Sequence, residues 1–256
     1  MAADDLRLVP LGDGQFLQPV EHGVEGEFAV AATQIHGASS GAATAQHNDC
    51  CGPRSCPADW AAMRLFAAVL PPEGVTASLA DEVAALRGLP GAEGLRWTGR
   101  PGWHLTLAFY GEVDDDAVPD LSARLERAAR RTAPFGLALR GGGQFGRGRV
   151  LWAGVAGTGG GGLPALRLLA GRAEAAGRGA GVPMGEHRRY TPHLTLARGR
   201  EPLDVRPHLT LLDGFTTPAW TVTDLALVRS NLPDSGVPGE QPRYATVARS
   251  PLGASG

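Results

Sequence analysis

The segment His104-Leu105-Thr106-Leu107-Ala108 returns 89 positions later as His193-Leu194-Thr195-Leu196-Ala197. Each copy alternates polar and apolar residues, which predicts a β-strand because successive strand side chains point to opposite faces. The leucines are therefore expected to face a core, and the His and Thr of each copy to face the other side. The preceding residues differ between the copies, so the repeat is not low-complexity sequence. Two such strands could present a matched pair of His and Thr side chains across one cleft.

This set of side chains suits the opening of a cyclic phosphodiester. The reaction needs a base that deprotonates the attacking water and an acid that protonates the departing oxygen, and histidine serves in either role near neutral pH. Threonine hydroxyls can hydrogen-bond the non-bridging phosphate oxygens. Such a mechanism requires no metal ion, so we expect neither a metal nor a cofactor. A single strand histidine is most often structural, and the repetition is what indicates function.

A third match to the same pattern, Pro207-His208-Leu209-Thr210-Leu211, lacks an apolar strand lead-in. It follows Asp204-Val205-Arg206 and carries Leu203, Leu209, Leu211 and Leu212. We therefore predict a structural role for His208.

Composition bounds the protein class. The chain has 256 residues, of which 43% are hydrophobic and 20% charged, as is ordinary for a globular protein. No apolar run approaches the ~18 residues of a membrane span, and the first residues contain no basic–apolar signal region, so we expect a cytoplasmic monomer without a membrane partner. All 24 basic residues are arginines, which excludes catalysis through a nucleotidylated lysine.

Charge divides the chain into two parts. Residues 1–62 carry two arginines against eight acidic residues, a net charge of −6, whereas the remainder carries +4. The first part is Gly- and Ala-rich without sustained periodicity, and we expect an acidic, disordered extension with at most a short strand at 27–32. Its three cysteines lack the paired spacing of a zinc site. The mildly basic part, 63–256, is expected to form the domain and fits a polyanionic substrate.

Periodicity predicts an α+β fold with an internal duplication. Glycine triplets lack the spacing of phosphate-binding loops and are predicted to be turns. The predicted elements are a strand at 64–70, a helix at 73–88, the first His strand, a helix ending near 132, strands at 135–140 and 150–155 around the turn Gly141-Gly142-Gly143, a helix at 163–178, the second His strand, a short helix near 203–212, and strands at 219–229 and 243–249.

Several segments together resemble the 2H phosphoesterase superfamily, and within it the RNA 2′,3′-cyclic phosphodiesterases, historically called 2′-5′ RNA ligases. The resemblance covers about residues 63–250 and is carried by the two His tetrads, Met63-Arg64-Leu65-Phe66-Ala67-Ala68-Val69, Arg149-Val150-Leu151-Trp152 and Leu225-Ala226-Leu227-Val228-Arg229-Ser230 followed by Tyr244. It implies two pseudo-symmetric lobes with antiparallel sheets facing a central groove and helices outside.

The resemblance also implies roles for individual residues. His193 would act as the proton acceptor and His104 as the proton donor, although a pseudo-symmetric pair leaves the reverse assignment open. Thr106 and Thr195 would hold the phosphate oxygens. Arg198 is a candidate for the phosphate charge, but strict strand alternation places it on the face opposite His193. Tyr190, Phe109 and Trp152 could stack on a base, but a core or rim position is the expected one for each.

The expected activity is metal-independent hydrolysis of RNA 2′,3′-cyclic phosphate ends to 2′-phosphates. One alternative keeps the chemistry and changes the substrate to a small cyclic phosphate, such as a cyclic nucleotide or ADP-ribose cyclic phosphate. Another is a non-catalytic protein that binds RNA ends, although such a protein would not need two proton-transfer groups.

Overall fold

The computed structural model describes residues 63–185, 189–233 and 241–253. The expectations for residues 1–62, including the extension and its short strand, lie outside the described residues. The strands are β1 Met63–Val69, β2 Leu95–Trp97, β3 Leu105–Val113, β4 Phe135–Phe145, β5 Val150–Thr158, β6 His193–Gly199, β7 Trp220–Val222, β8 Asp224–Asn231 and β9 Arg243–Pro251. The helices are α1 Glu73–Arg87, α2 Val118–Arg130, α3 Gly162–Gly179 and α4 Arg206–Leu212.

The described strands form one antiparallel sheet in the order β7-β4-β5-β6-β3-β1-β8-β9, with β2 paired to β6. Counted outward from the β6–β3 junction, each half contributes four strands. Apart from the short β2, which lies between α1 and β3, each half also runs strand, helix, His strand, helix along the chain, as β1-α1-β3-α2 and as β5-α3-β6-α4. The predicted α+β class and internal duplication are confirmed, and the two halves join in one continuous sheet.

The helices cover one face of this sheet. Leucines and valines of α1, α2 and α3 pack with the alternate strand residues Leu105, Leu107, Leu194 and Leu196 in the main hydrophobic core. The other side, here called the open face, carries a smaller buried cluster of Phe66, Ala68, Ala226 and Val228 with Leu70 and Tyr244 packed against it. Since strand side chains alternate, the His and Thr of both tetrads fall on the open face.

Both His strands contain an irregularity at the same place. In the β1–β3 pair, Ala67 is opposite Ala108 and Ala68 is opposite Thr106, so Leu107 is skipped. In the β5–β6 pair, Leu151 is opposite Ala197 and Trp152 is opposite Thr195, so Leu196 is skipped. A skipped residue is a β-bulge, and it reverses the facing of every residue beyond it.

Two predicted features are wrong. Gly141-Gly142-Gly143 is not a turn but lies inside β4, where a bulge between Leu139 and Gly142 accommodates Gly141 at φ +64°. The turn between β4 and β5 is made by 146–149 instead. The predicted strand at 219–229 is two strands, β7 and β8, which pair with different neighbours. None of the helices in the described part of the chain is long and apolar enough to cross a membrane.

Candidate active site

One residue pair places the four site side chains. Strands β3 and β6 are in register only at Leu105 and Leu194, both fully buried on the helix side. In an antiparallel pair centred there, His104 neighbours Thr195 and Thr106 neighbours His193, and all four project from the open face. The two histidines occupy diagonal positions, which are roughly 7–8 Å apart between backbones in a regular pair. The predicted His and Thr residues are therefore brought together around a pseudo-twofold axis.

Each imidazole is held by a backbone group two residues upstream. The His193 Nδ1 lies 2.8 Å from the carbonyl oxygen of Thr191. A carbonyl only accepts, so Nδ1 carries the hydrogen and Nε2 keeps its lone pair for the open face. His104 makes a backbone hydrogen bond with Gly102, the equivalent position. This arrangement fixes the ring orientation of both histidines before any substrate binds.

The threonines are half-buried, and their hydroxyls are available. Among residues 63–185, 189–233 and 241–253, neither the Thr106 nor the Thr195 hydroxyl has a hydrogen-bond partner, in contrast to Thr210 of the third motif, whose hydroxyl donates to the Arg206 carbonyl at 3.1 Å. A hydroxyl without a protein acceptor can donate to a phosphate oxygen.

Aromatic rings line the walls beside both imidazoles. They remove water from the histidines and leave the space between them as the polar centre of the site. Measured between ring centroids, the neighbours are Phe66 at 4.6 Å and Tyr244 at 5.4 Å from His104, and Phe145 at 5.0 Å and Trp152 at 6.1 Å from His193.

Burial and a nearby guanidinium keep both imidazoles neutral. Burial lowers the pKa of His104 to about 4, and the positive charge of Arg198 adds to this, against the hydrogen bond to Gly102, which raises it. The pKa of His193 is also lowered, first by burial and then by Arg198. An anion between the rings would act in the opposite direction and raise both pKa values.

The interpretation of Arg198 as lying on the face opposite His193 is wrong. The bulge at Leu196 inserts one residue between His193 and Arg198, so Arg198 returns to the open face. Its charge acts on both histidines and on Tyr244. Arg198 is thus a cation within electrostatic reach of both histidines.

The structure places each aromatic stacking candidate and adds residues that the sequence did not indicate. Tyr190 packs against the main core and has a buried hydroxyl, whereas Trp152 lies beside His193 and Phe109 is 44% exposed. Phe66, Phe145 and Arg96 were not predicted to belong to the site. A usable signal existed for Phe66, since Arg64, Phe66 and Ala68 alternate with core residues in β1. His208, the third motif, lies buried in α4, as predicted.

A cavity of about 380 Å³ adjoins the His193 side. It begins at Trp152 and Gly154, the strand partners of Thr195 and His193, and at Thr191 and Pro192. Its far wall contains Arg140, Arg167 and Asp213. No group of three or more His, Cys, Asp or Glu side chains with metal-ligand proximity occurs within the described ranges.

The family model and the curated relatives that match this chain indicate the same family. Residues 75–234 match the model of the 2′-5′ RNA ligase superfamily. The chain is 39% identical over 179 residues to the RNA 2′,3′-cyclic phosphodiesterase of Thermus thermophilus, covering 68% of this chain and 85% of that protein. A Geobacillus stearothermophilus protein of the same name is 30% identical over 61% of this chain and 47% of its own length.

Solved structures show the same fold. The crystal structure of E. coli LigT in apo form is 26% identical and covers 75% of this chain and 98% of its own, with a TM-score of 0.58. The same protein complexed with 3′-AMP matches with equal coverage and TM-score. The paired His-x-Thr strands, the duplicated sheet and the match over more than half of the sequence lead to one conclusion: the chain belongs to the 2′-5′ RNA ligase superfamily of 2H phosphoesterases.

Proposed function

We propose that this protein hydrolyses RNA 2′,3′-cyclic phosphate ends to 2′-phosphates, with His193 as general base and His104 as general acid. The observation that carries the proposal is the pairing of Leu105 with Leu194, which sets two His–Thr pairs on the open face around one point. The names of the Thermus and Geobacillus relatives support the substrate class, and the E. coli LigT structure complexed with 3′-AMP supports a nucleotide ligand.

The reaction is an in-line displacement at phosphorus. His193 Nε2 takes a proton from water while the water oxygen forms a bond to phosphorus. The bond from phosphorus to the ribose 3′-oxygen breaks, its electron pair stays on that oxygen, and His104 supplies the proton. The products are a 3′-hydroxyl and a 2′-phosphate. Thr106, Thr195 and Arg198 hold the non-bridging oxygens, whose charge they stabilise more strongly in the transition state.

In the free site both histidines are neutral, so this assignment requires His104 to gain a proton when the substrate binds. His193 Nε2 is an unprotonated acceptor, since Nδ1 holds the hydrogen. His104 is neutral at pH 7 in the free protein because its pKa is about 4. It acquires its proton when the phosphodiester anion binds, because a negative charge within a few ångströms raises the pKa of an imidazole. A proton held under these conditions is transferred readily to the departing oxygen.

The test is hydrolysis of a short RNA ending in 2′,3′-cyclic phosphate in the presence of EDTA, with the product phosphate assigned by ³¹P NMR. We expect a 2′-phosphate product, an unchanged rate with EDTA, and a fall in kcat of at least about 100-fold for His104→Ala and for His193→Ala. The double variant should be little slower than either single one, because the two groups act as a unit. Rapid turnover in either single variant would contradict the two-histidine mechanism.

The threonines provide a matched comparison. Thr106→Val and Thr195→Val each remove one hydroxyl that faces the phosphate, and we expect kcat to fall on the order of 100-fold. Thr210→Val makes the same change in the third motif, where the hydroxyl is bonded to its own helix, and should leave kcat unchanged. An RNA that binds without turnover would favour the RNA-end binding protein instead, and turnover of cytidine 2′,3′-cyclic phosphate alone would favour a small-molecule phosphodiesterase.

A further inference from the structure

Two arginines stand opposite each other beside the histidine pair. Arg96 on β2 is the cross-strand partner of Arg198 on β6. Leu95 and Trp97 point to the core side, so Arg96 shares the open face with Arg198. Like charges directly opposite each other destabilise a strand pair, and no ion pair joins either arginine to an acidic residue in the described part of the chain. A bound polyanion would reduce the repulsion between these two arginines.

A third arginine belongs to the same surface. Burial raises the pKa of Tyr244, while the charges of Arg198, Arg96 and Arg64 lower it, so the three guanidiniums lie within electrostatic reach of this hydroxyl. The Tyr244 ring is 5.4 Å from that of His104. Three positive charges therefore surround Tyr244, on the His104 side of the site.

An exposed aromatic ring completes the surface. Phe109 is 44% exposed, and its strand partner Phe66 contacts His104. The guanidinium of Arg64 lies 5.0 Å from the centre of the Phe109 ring. Glu112, the strand partner of Arg64, forms no ion pair with it. An exposed ring beside an arginine is the usual platform for a stacked nucleobase next to a backbone phosphate. We name Arg64, Arg96, Phe109 and Tyr244 the arginine–aromatic subsite.

The reaction geometry decides which side the nucleic acid takes. This step rests on the proposed function, in which His104 protonates the ribose 3′-oxygen. The ribose that carries this oxygen must lie on the His104 side of phosphorus, and water must approach from the His193 side. The rest of the strand continues from the 5′ carbon of the same ribose, toward the arginine–aromatic subsite and away from the cavity beside His193.

We propose that the arginine–aromatic subsite binds the RNA strand leading to the cyclic phosphate, with a backbone phosphate between Arg64 and Arg96 and a base stacked on Phe109. The subsite makes the protein selective for an RNA chain over a mononucleotide. The single phosphate of a nucleoside 2′,3′-cyclic phosphate occupies the catalytic site, so no second phosphate is left to bind the subsite.

The experiment compares two substrates, a short RNA ending in 2′,3′-cyclic phosphate and cytidine 2′,3′-cyclic phosphate. For Arg96→Ala and for Phe109→Ala, we expect the ratio of kcat/KM for RNA to kcat/KM for the mononucleotide to fall about tenfold, through KM. For Arg96→Ala, the slope of log KM for RNA against log salt should also become shallower by about 0.7. If these residues had a purely structural role, kcat/KM would fall by the same factor for both substrates and the salt dependence of KM for RNA would not change.

Two further variants decide the direction of the strand. Arg127→Ala removes an exposed arginine from α2 on the helix side and is the charge-matched control, with no expected change in the ratio. The double variant Arg140→Ala/Arg167→Ala empties the His193-side cavity of positive charge. A fall in the ratio for this double variant, with none for Arg96→Ala and Phe109→Ala, would overturn the proposal.

Direct binding separates this proposal from the proposed function. Fluorescence anisotropy with the 2′-phosphate product RNA does not require turnover, so it tests the subsite even if the wild-type protein hydrolyses neither substrate. We expect about tenfold weaker binding for Arg96→Ala and for Phe109→Ala. Equal affinity of these variants and wild type would overturn the subsite while leaving the hydrolysis result to decide the mechanism.

Discussion

Arg198 adds to the effect of burial on both catalytic candidates. It lies on the open face of β6, its pair being Arg96 of β2, and its charge further lowers the two imidazole pKa values that burial has already lowered. Burial and Arg96 lower the pKa of Arg198 itself, whereas Tyr244 raises it. The free site is consequently neutral at both histidines and positive at the guanidinium, which is the state that receives an anion.

Removing that charge should raise both histidine pKa values. In Arg198→Gln, we expect the pKa of His104 to move upward from about 4 and that of His193 to move in the same direction, because a positive neighbour disfavours the imidazolium. Histidine ring signals followed by NMR over pH 3–8 measure this directly. The kcat/KM profile should shift toward higher pH together with an overall loss of rate. A loss of rate without any change in the titration would mean that Arg198 only binds phosphate.

The sequence predicted the side of the sheet for the two His–Thr pairs but not for Arg198. His104, Thr106, His193 and Thr195 follow from alternation alone, since only two positions separate His and Thr. Arg198 lies five positions from His193, and the bulge at Leu196 intervenes. A bulge is stabilised by contacts between strands that are far apart in sequence, so no local pattern of apolar residues discloses it.

At the scale of elements, the glycines of β4 make room for the wall beside His193. A Cβ on Gly143 would come within van der Waals overlap of the Trp152 ring, and a Cβ on Gly142 would overlap Leu212 of α4. The triplet was predicted to be a turn because glycine is common in turns. In this sheet, the glycines allow Trp152 and Leu212 to pack closely against β4. These partners are distant in sequence, so the local pattern does not predict the contact.

Gly143→Ala should therefore disturb the site through Trp152. We expect the indole to shift away from β4, with destabilisation of about 1–3 kcal/mol from overpacking and a reduced kcat for the cyclic phosphate. Urea unfolding and tryptophan fluorescence measure the two effects. Gly171→Ala is the matched control, because its helical position has open space around the new Cβ, and it should stabilise the protein by about 0.5–1 kcal/mol. Equal behaviour of the two variants would rule out the proposed packing constraint.

At the scale of the molecule, the two halves depend on one another through the narrow β3–β6 junction. Composition and periodicity predicted the duplication, because each half repeats the order strand, helix, His strand, helix. They did not predict a single sheet, since the joining contact is the pair Leu105 and Leu194, and apolar strand residues would look the same in two separate sheets. Neither half on its own contains both histidines, so the site exists only in the joined sheet.

The folded domain should lose stability below about pH 6.5 partly through His208. This residue is fully buried in α4, its ring nitrogens have no hydrogen-bond partner among the described residues, and its ring lies 6.2 Å from that of Trp97. Burial lowers its pKa from 6.5, against a smaller opposite effect of Glu93. A base with a lowered folded-state pKa favours the unfolded state once the pH falls below its unfolded value, because only the unfolded chain then binds the proton freely.

His208→Leu removes the titrating group and replaces it with an apolar side chain of similar size. We expect about 1 kcal/mol of added stability at pH 7.5, since a buried polar group without a partner is removed, and a larger gain at pH 5. Urea unfolding at the two pH values measures the difference, with Thr210→Val on the same helix as the control. His104 and His193 also have lowered pKa values, so the variant should retain part of the acid sensitivity. An equal gain at both pH values would mean that His208 does not change its protonation on unfolding.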